Sequence, residues 1–517
     1  MRGEVSPPVR VKTLKGWATR LLGLALALLC GAGVAWGAAP EKQGSVWLQL
    51  KLDALGFPGV SNVFLESGAS MLTVHFLDDS HLLVTFSLRK LVPRVQNDPD
   101  TDDDRQVAAE VVDLPSGKVE ARTEWHMHDH ARYLWSLGGG SFLVRIGDRL
   151  YSISPLARLG KDTFQRTVVP GRPLRPSAVM VSPDGGLVTV QTVVRTALQA
   201  GQTTVVLGDD DTGIVDRSGT KTLIDFFRVQ RVEAGLAEIT PAGSIQSALP
   251  LQLPVDADGL LWATAADNGT WGLTFDEFGG KTIPLGKLES SCMPRLQMLT
   301  RSEFLALSCR GADDRIRMAS FGLDGKETWE ESLGDMGAPV FAYAPAAARF
   351  AVSHTIAADV PIQAGLTASP AQQEVRVYQN ASGDLLLHTD SSPVMKSAEN
   401  FDLSADGSLA VVVRNGSLVL YKLPPLSTRD REDMAAVSEF APPALTEGKV
   451  TLGRLTTPAR AAPVARSAPQ SAAAAQAQAD AGLAPAPPVK RSPPTLLNPG
   501  EKPEFGTANE PPKTPPQ

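Results

Sequence analysis

The sequence predicts an all-β fold, a seven-bladed β-propeller of four-stranded antiparallel blades, and three observations carry that prediction. A tight turn, often Asp-Gly, between two short apolar runs recurs about every 40 to 75 residues, the spacing of propeller blades. The runs beside those turns, such as "SLAVVV" and "FLALSC", are apolar on both faces, as expected of sheets covered on both sides. Between about residues 60 and 424 no segment keeps apolar residues at the helical period, so no helical domain interrupts the series.

The first hairpins of the blades follow in order: "LTVHFLDDSHLLVTF" from Leu72, "YLWSLGGGSFLVRI" from Tyr133, "VSPDGGLVTV" from Val181, "PVDADGLLWAT" from Pro254, "LQMLTRSEFLALSC" from Leu296, "FAYAPAAARFAVS" from Phe341 and "LSADGSLAVVV" from Leu403. Second hairpins follow most of them, as in "VAAEVVDLPSGKVEART" and "EVRVYQNASGDLLLHT", and two hairpins make a four-stranded blade. The seventh blade is one strand short, because Pro424 and Pro425 end pairing after "SLVLYKLPPL". The strand-like run "SVWLQLKL", from Ser45 to Leu52, is expected to supply the missing outer strand and so close the ring.

Three regions result: a signal segment over 1–39, the propeller over 40–426, and a Pro/Ala-rich tail over 427–517. The first carries Arg10, Lys12, Lys15 and Arg20, then the uncharged "LLGLALALLCGAGVAWGAA" with small residues Ala35 and Gly37, which fits a signal peptide cut after Gly37. The competing reading is an uncleaved anchor, the one way this chain would engage a membrane. The tail has few large apolar groups and is expected to be disordered. The formal net charge of −7 over 517 residues provides no basic footprint for nucleic acid.

Of the three cysteines, Cys30 leaves with the signal, and Cys292 and Cys309 remain as an expected disulfide of an exported protein. A turn centred on Thr300 and Arg301 pairs Leu299 with Ser302 and, counting outward, Cys292 with Cys309 across the two inner strands of the fifth blade.

"VSPDGGLVTV" resembles the first hairpin of the WD40-like and YVTN-like β-propellers of exported bacterial proteins; "LSADGSLAVVV" and "PVDADGLLWAT" keep the Asp-Gly and lose the proline. The resemblance spans about residues 45 to 424 and implies a fold, not an activity. Asp184, Asp258 and Asp406 then serve as turn formers, with Gly185, Gly259 and Gly407 at positive φ. "MASFGLDGKETW", with Ala319, Gly325 and Trp329, partly resembles the tryptophan-docking repeat of quinoprotein-like propellers, but Phe321 stands where that repeat has aspartate, and no quinone or other cofactor is expected.

In "EWHMHDHARYLW", His126, His128 and His130 alternate, so in an extended segment they share a face and are the candidate ligands for zinc or copper. The competing and favoured reading is a solvated linker between blades. "NDPDTDDDR" from Asn97 has Asp103 where a calcium loop needs its glycine and Ala109 where it needs its glutamate, and "GDDDTG" from Gly208 is shorter still; both are expected to be solvated loops. No nucleophile elbow or phosphate loop occurs. The sequence therefore favours a non-catalytic, monomeric module of the periplasm or cell exterior that holds a protein, peptide or glycan. The alternative is a metal-assisted hydrolase or lyase with its site at the channel mouth. If the signal reading holds, mass spectrometry of protein from the native host finds a mature chain beginning near Ala38, and an intact, membrane-embedded 1–37 segment contradicts it.

Overall fold

The computed structural model describes residues 44–57, 72–91, 105–127, 132–147, 149–171, 176–195, 220–232, 235–247, 255–256, 258–267, 269–278, 280–310, 315–334, 339–357, 370–392, 394 and 399–441. The chain divides into two units, Met1–Pro458 and Ala459–Gln517, and all described residues lie in the first.

Strand β1 (Ser45–Lys51) precedes the first blade in chain order. Blade 1 is β2 (Thr73–Asp78), β3 (His81–Leu91), β4 (Arg105–Asp113) and β5 (Val119–Met127). Blade 2 is β6 (Leu134–Gly138), β7 (Ser141–Ile146), β8 (Arg149–Ile153) and β9 (Thr167–Val168), and blade 3 is β10 (Ala178–Val181), β11 (Leu187–Arg195), β12 (Thr220–Arg231) and β13 (Ala237–Ser247). Blade 4 shows three strands among the described residues, β14 (Gly259–Ala265), β15 (Thr270–Glu277) and β16 (Thr282–Glu289), with Val255 in an isolated bridge to Leu260. Blade 5 is β17 (Arg295–Met298), β18 (Glu303–Arg310), β19 (Arg315–Gly322) and β20 (Glu327–Gly334), and blade 6 is β21 (Val340–Ala344), β22 (Arg349–Ala357), β23 (Pro370–Gln379) and β24 (Leu385–Ser391). Blade 7 is β25 (Phe401–Leu403), β26 (Leu409–Arg414) and β27 (Ser417–Lys422), completed by β1, which pairs antiparallel with β27 from Ser45 opposite Lys422 to Lys51 opposite Ser417. The fold is the seven-bladed propeller the sequence predicts, closed as expected by the first strand of the chain.

Two-faced strands explain the packing. In β3, Leu82, Val84 and Phe86 point into the cluster shared with blade 7, while Leu83 points into the one shared with blade 2. In β26, Leu409, Val411 and Val413 face blade 1, and Ala410 and Val412 face blade 6. Because side chains alternate along a strand, each run divides its apolar residues between two neighbours. Every junction between consecutive blades holds one such cluster, including the seam between the seventh and the first.

Polar keys add to these clusters. Arg349, 3% exposed at the start of β22, donates Nε to Gln379 Oε1 (3.0 Å), Nη1 to the Gly407 carbonyl (2.6 Å) and Nη2 to the Pro424 carbonyl (2.7 Å), tying blade 6 to blade 7. Trp329 of β20 stacks on Tyr378 of blade 6, with ring centroids 5.8 Å apart, and donates Nε1–H to the Asn380 carbonyl. This is a docking role without the quinoprotein aspartate.

The turns need two corrections. Ser182–Gly186 and Ser404–Ser408 are built alike: the aspartate Oδ1 accepts from the serine hydroxyl and from a backbone N–H two residues on, and Gly185 and Gly407 take φ of 69° and 68°. Gly259 does not share that conformation. It opens β14 with ordinary φ, and a Cβ there would fall 2.5 Å from the Asp276 carbonyl oxygen, so close approach selects glycine. Asp258 is 2% exposed and receives Arg301 Nε at 2.5 Å, a contact between blades 4 and 5.

The fifth-blade register is also corrected. Cys292 and Cys309 are disulfide-bonded, with Cα atoms 5.5 Å apart. Yet Met298 lies opposite Phe304 and Arg295 opposite Leu307, one residue from the expected register, because Leu299 N–H closes the turn on the Glu303 carbonyl. Pro294 has no N–H to extend the ladder, so Cys292 sits in the lead-in to β17, where Ser291 N–H bonds the Cys309 carbonyl.

The region expected to be tail begins with helix α1 (Thr428–Ser438). Ser427 Oγ accepts from Asp430 N–H at 3.0 Å and Asp430 Oδ2 accepts from Ser427 N–H at 2.7 Å, a reciprocal cap that offsets the low apolar content. None of its residues is buried. Residues 442–517, the signal segment, most of the acidic stretch from Asn97 and "GDDDTG" lie outside the described residues. Among the described residues no helix is long and apolar enough to cross a membrane.

Two predictions follow from this packing. Arg349→Met leaves the Gly407 and Pro424 carbonyls without their charged donor and lowers stability by about 3 kcal/mol, read as a lower urea midpoint, whereas ending the chain after Ser427 leaves that midpoint in place. The second concerns pH. Glu110, 0% exposed, is pushed up to about 7 by burial, against the opposing pull of Arg122 3.1 Å away, and His354, 2% exposed, is pushed down to about 4 by burial and then by Arg376. Folded Glu110 holds its proton more tightly than the unfolded chain, so its contribution is full below about 4.5 and is lost as pH rises to about 7. His354 works the other way, with a contribution present above 6.5 and lost as pH falls toward 4. The opposing slopes flatten the wild-type profile between pH 4.5 and 6.5. Glu110→Gln makes the variant's stability climb across that window and exceed wild type at pH 8 by on the order of 3 kcal/mol, measured by urea unfolding at each pH.

Candidate functional site

The innermost strands of the blades run along the central channel, and one mouth of that channel is a cavity of 690 Å³. Among the described residues its wall draws on β2, β6, β10, β17, β21 and β25, from every blade except the fourth. Val179, Val181, Val340 and Phe341 make much of the wall apolar, and a group of ionisable side chains gathers on the side formed by blades 7, 1 and 2.

That group is built across the closing seam. Backbone pairing of Val74 N–H with the Glu399 carbonyl (3.0 Å) sets β2 beside the lead-in to β25, and Asp402 Oδ2 accepts Phe76 N–H at 2.9 Å. His75, 6% exposed, holds Nδ1 3.6 Å from Asp402 Oδ2, and its Nε2 is buried without a hydrogen-bond partner. Glu399, 4% exposed, faces Arg132 Nε at 2.5 Å, yet its Oε1 receives no well-directed hydrogen bond. Burial pushes the Glu399 carboxyl above its ordinary range, while Arg132 and His75 pull it back. The Arg132 guanidinium carbon lies 5.8 Å from the centre of the Trp135 ring, and its Nε also bonds the Leu134 carbonyl at 3.3 Å. Across the cavity, Tyr343 stacks on Phe341, and burial raises its hydroxyl while the Arg132 charge and then Gln297 work against that rise. At the rim, Arg231 donates Nη2 to the Leu137 carbonyl at 2.8 Å beside Asp184 of the Ser-Pro-Asp-Gly turn.

Of the three histidines singled out from the sequence, His126 is among the described residues, and it does not line this cavity. His126 is an exposed residue near the end of β5, the outer strand of blade 1, and so belongs neither to a blade linker nor to the channel mouth; His128 and His130 lie outside the described residues. Elsewhere, His81, Asp113 and Glu120 bring one ligand atom each within 4.8 Å of one another on three strands of blade 1, a spacing that can hold a metal ion. Sequence reasoning missed the channel-mouth set because His75, Arg132, Glu399 and Asp402 come from three blades and share no motif, although Arg132 stands in the same stretch as the alternating histidines. The one local signal was His75 interrupting the apolar run "LTVHFL"; "ENFDLS", which carries Glu399 and Asp402, is mostly polar and reads as a loop.

No protein-family model matches the chain, and no curated protein does. Solved structures of similar fold include the C-terminal WD40 domain of Sif2, at 10% identity over 74% of this chain and 99% of that one, with a TM-score of 0.33. A chain of the mitotic checkpoint complex matches at 11% identity over 82% of this chain and 98% of its own, with a TM-score of 0.36. The acylaminoacyl peptidase of Pyrococcus horikoshii matches at 9% identity and a TM-score of 0.42, over 68% of this chain and only 51% of the peptidase. At these identities and TM-scores the matches carry no inference, and the fold rests on the strands and sheets described above.

Proposed function

We propose that this protein is an exported, non-catalytic binding module that takes a segment of a protein, peptide or glycan partner into the mouth of its channel. The observation that carries this reading is the 690 Å³ cavity, whose apolar and aromatic wall converges on a few fixed ionisable groups. That combination of size and lining belongs to sites that bury a ligand and orient it by a small number of polar contacts. Export is supported by the signal-like segment and by the disulfide between the only two cysteines beyond it.

The acid–base alternative draws on the same convergence. His75, however, stands 3.6 Å from Asp402 and keeps Nε2 buried, and Asp402 spends Oδ2 on the Phe76 amide. A general base needs an accessible nitrogen within hydrogen-bond reach of its substrate, so the geometry favours holding a ligand over transforming it.

A photo-crosslinking residue placed at Ala342, on the cavity wall, is expected to give a discrete adduct in the native host, while the same residue at the exposed Glu124 of β5 gives none. The adduct should disappear when Val179→Trp fills the channel. An adduct that persists in the filled variant, or labelling confined to Glu124, moves binding away from the mouth.

A further inference from the structure

We infer, building on the binding reading above, that the channel mouth is a receptor for the guanidinium group of a partner's arginine side chain, a place that Arg132 fills from within. The first argument is unequal burial. Glu399 is 4% exposed, whereas the Arg132 side chain that meets it is 49% exposed. A carboxylate this deep loses its hydration and needs a cation, and here the cation comes from a long, half-solvated side chain that can return to water when an incoming guanidinium takes its place.

The second argument is the incomplete pairing. Glu399 Oε1 has Arg132 Nε at 2.5 Å but no well-directed hydrogen bond, so the buried carboxylate still lacks the paired N–H donors that a guanidinium presenting its forked edge supplies. The third is the chemistry of the cradle. It already holds a planar cation against the Trp135 ring, at 5.8 Å, and against a carboxylate, which is the surrounding that suits guanidinium better than ammonium.

Charge decides between a cationic and an anionic ligand. The mouth carries Asp184, Glu399 and Asp402 against Arg132 and Arg231. With Arg132 turned out to solvent, the mouth holds three acidic groups to one guanidinium, and an incoming cation takes over the role of holding Glu399 ionised. The cavity beside Glu399 gives an incoming side chain room to enter without opening the ring.

The test uses the full chain and defined probes. Arg132→Ala, shown folded by circular dichroism, should gain saturable thermal stabilisation by N-ethylguanidinium, at least tenfold tighter than wild type. The neutral N-ethylurea should have no effect, and the gain should be absent from Arg132→Ala/Glu399→Gln. Should Arg132→Ala fail to fold, the unaltered protein is titrated by tryptophan fluorescence with acetyl-Ala-Arg-Ala-amide and with its citrulline counterpart. The arginine peptide is expected to bind at least tenfold more tightly, with the preference lost in Glu399→Gln. A folded Arg132→Ala that shows no saturable response to guanidinium overturns the inference. Equal binding of the two peptides also overturns it, and if Val179→Trp abolishes that equal binding, the binding module stands while the arginine receptor falls.

Discussion

A blade of this protein is apolar on both sheet faces, and a sheet so built has no stable existence in water until both faces are covered. That requirement organises everything else. Each blade is covered by its two neighbours, the neighbours by theirs, and the demand ends only when the series closes on itself. Closure falls to β1, whose pairing with β27 brings Trp47, Leu48 and Leu50 against the cluster that joins the seventh blade to the first. The strand that precedes the first blade in chain order thus completes the seventh, and stability is a property of the ring and not of its parts.

The polar keys between blades follow from the same geometry. Where the turns of adjacent blades crowd at a rim, backbone carbonyls are carried out of the sheets and lose ladder partners. Arg349 collects two of them from blade 7, and Arg231 takes the Leu137 carbonyl of blade 2 from its place at the end of β12 in blade 3. The Arg301–Asp258 pair does comparable work between blades 5 and 4. Arginine suits these places because its fork reaches several acceptors from one buried stem.

At the channel mouth the constraint reverses. Inner strands turn part of their surface toward the open channel mouth, so ionisable residues are tolerated there, although the neighbouring positions are core. The seam between blades 7 and 1 uses this freedom most: Asp402 and the Glu399 carbonyl hold β2 through its backbone while His75 and the Glu399 carboxyl line the cavity. The residues that close the ring are therefore also those that give the mouth its chemistry, and a ligand held at Glu399 touches the junction on which the fold depends.

The sequence by itself determined the architecture. Turn spacing, two-faced apolar strands and the missing strand before Pro424 are local or nearly local signals, and each is written where its residues stand. The capping box at Ser427 was equally local, though masked by the Pro/Ala-rich context of the tail. Register in the fifth blade was less legible, because whether the turn closes at Ser302 or Glu303 depends on hydrogen bonds within the turn and on Pro294 beyond it. The Gly259 conformation was not legible at all, since only the approach of Asp276 decides it. The candidate site lay furthest from sequence reasoning. Glu399 and Arg132 are 267 positions apart, and nothing around either marks it as buried or paired. Alternation and turns repeat along the chain and can be counted there, whereas a site assembled by ring closure exists only once the two ends of the propeller meet.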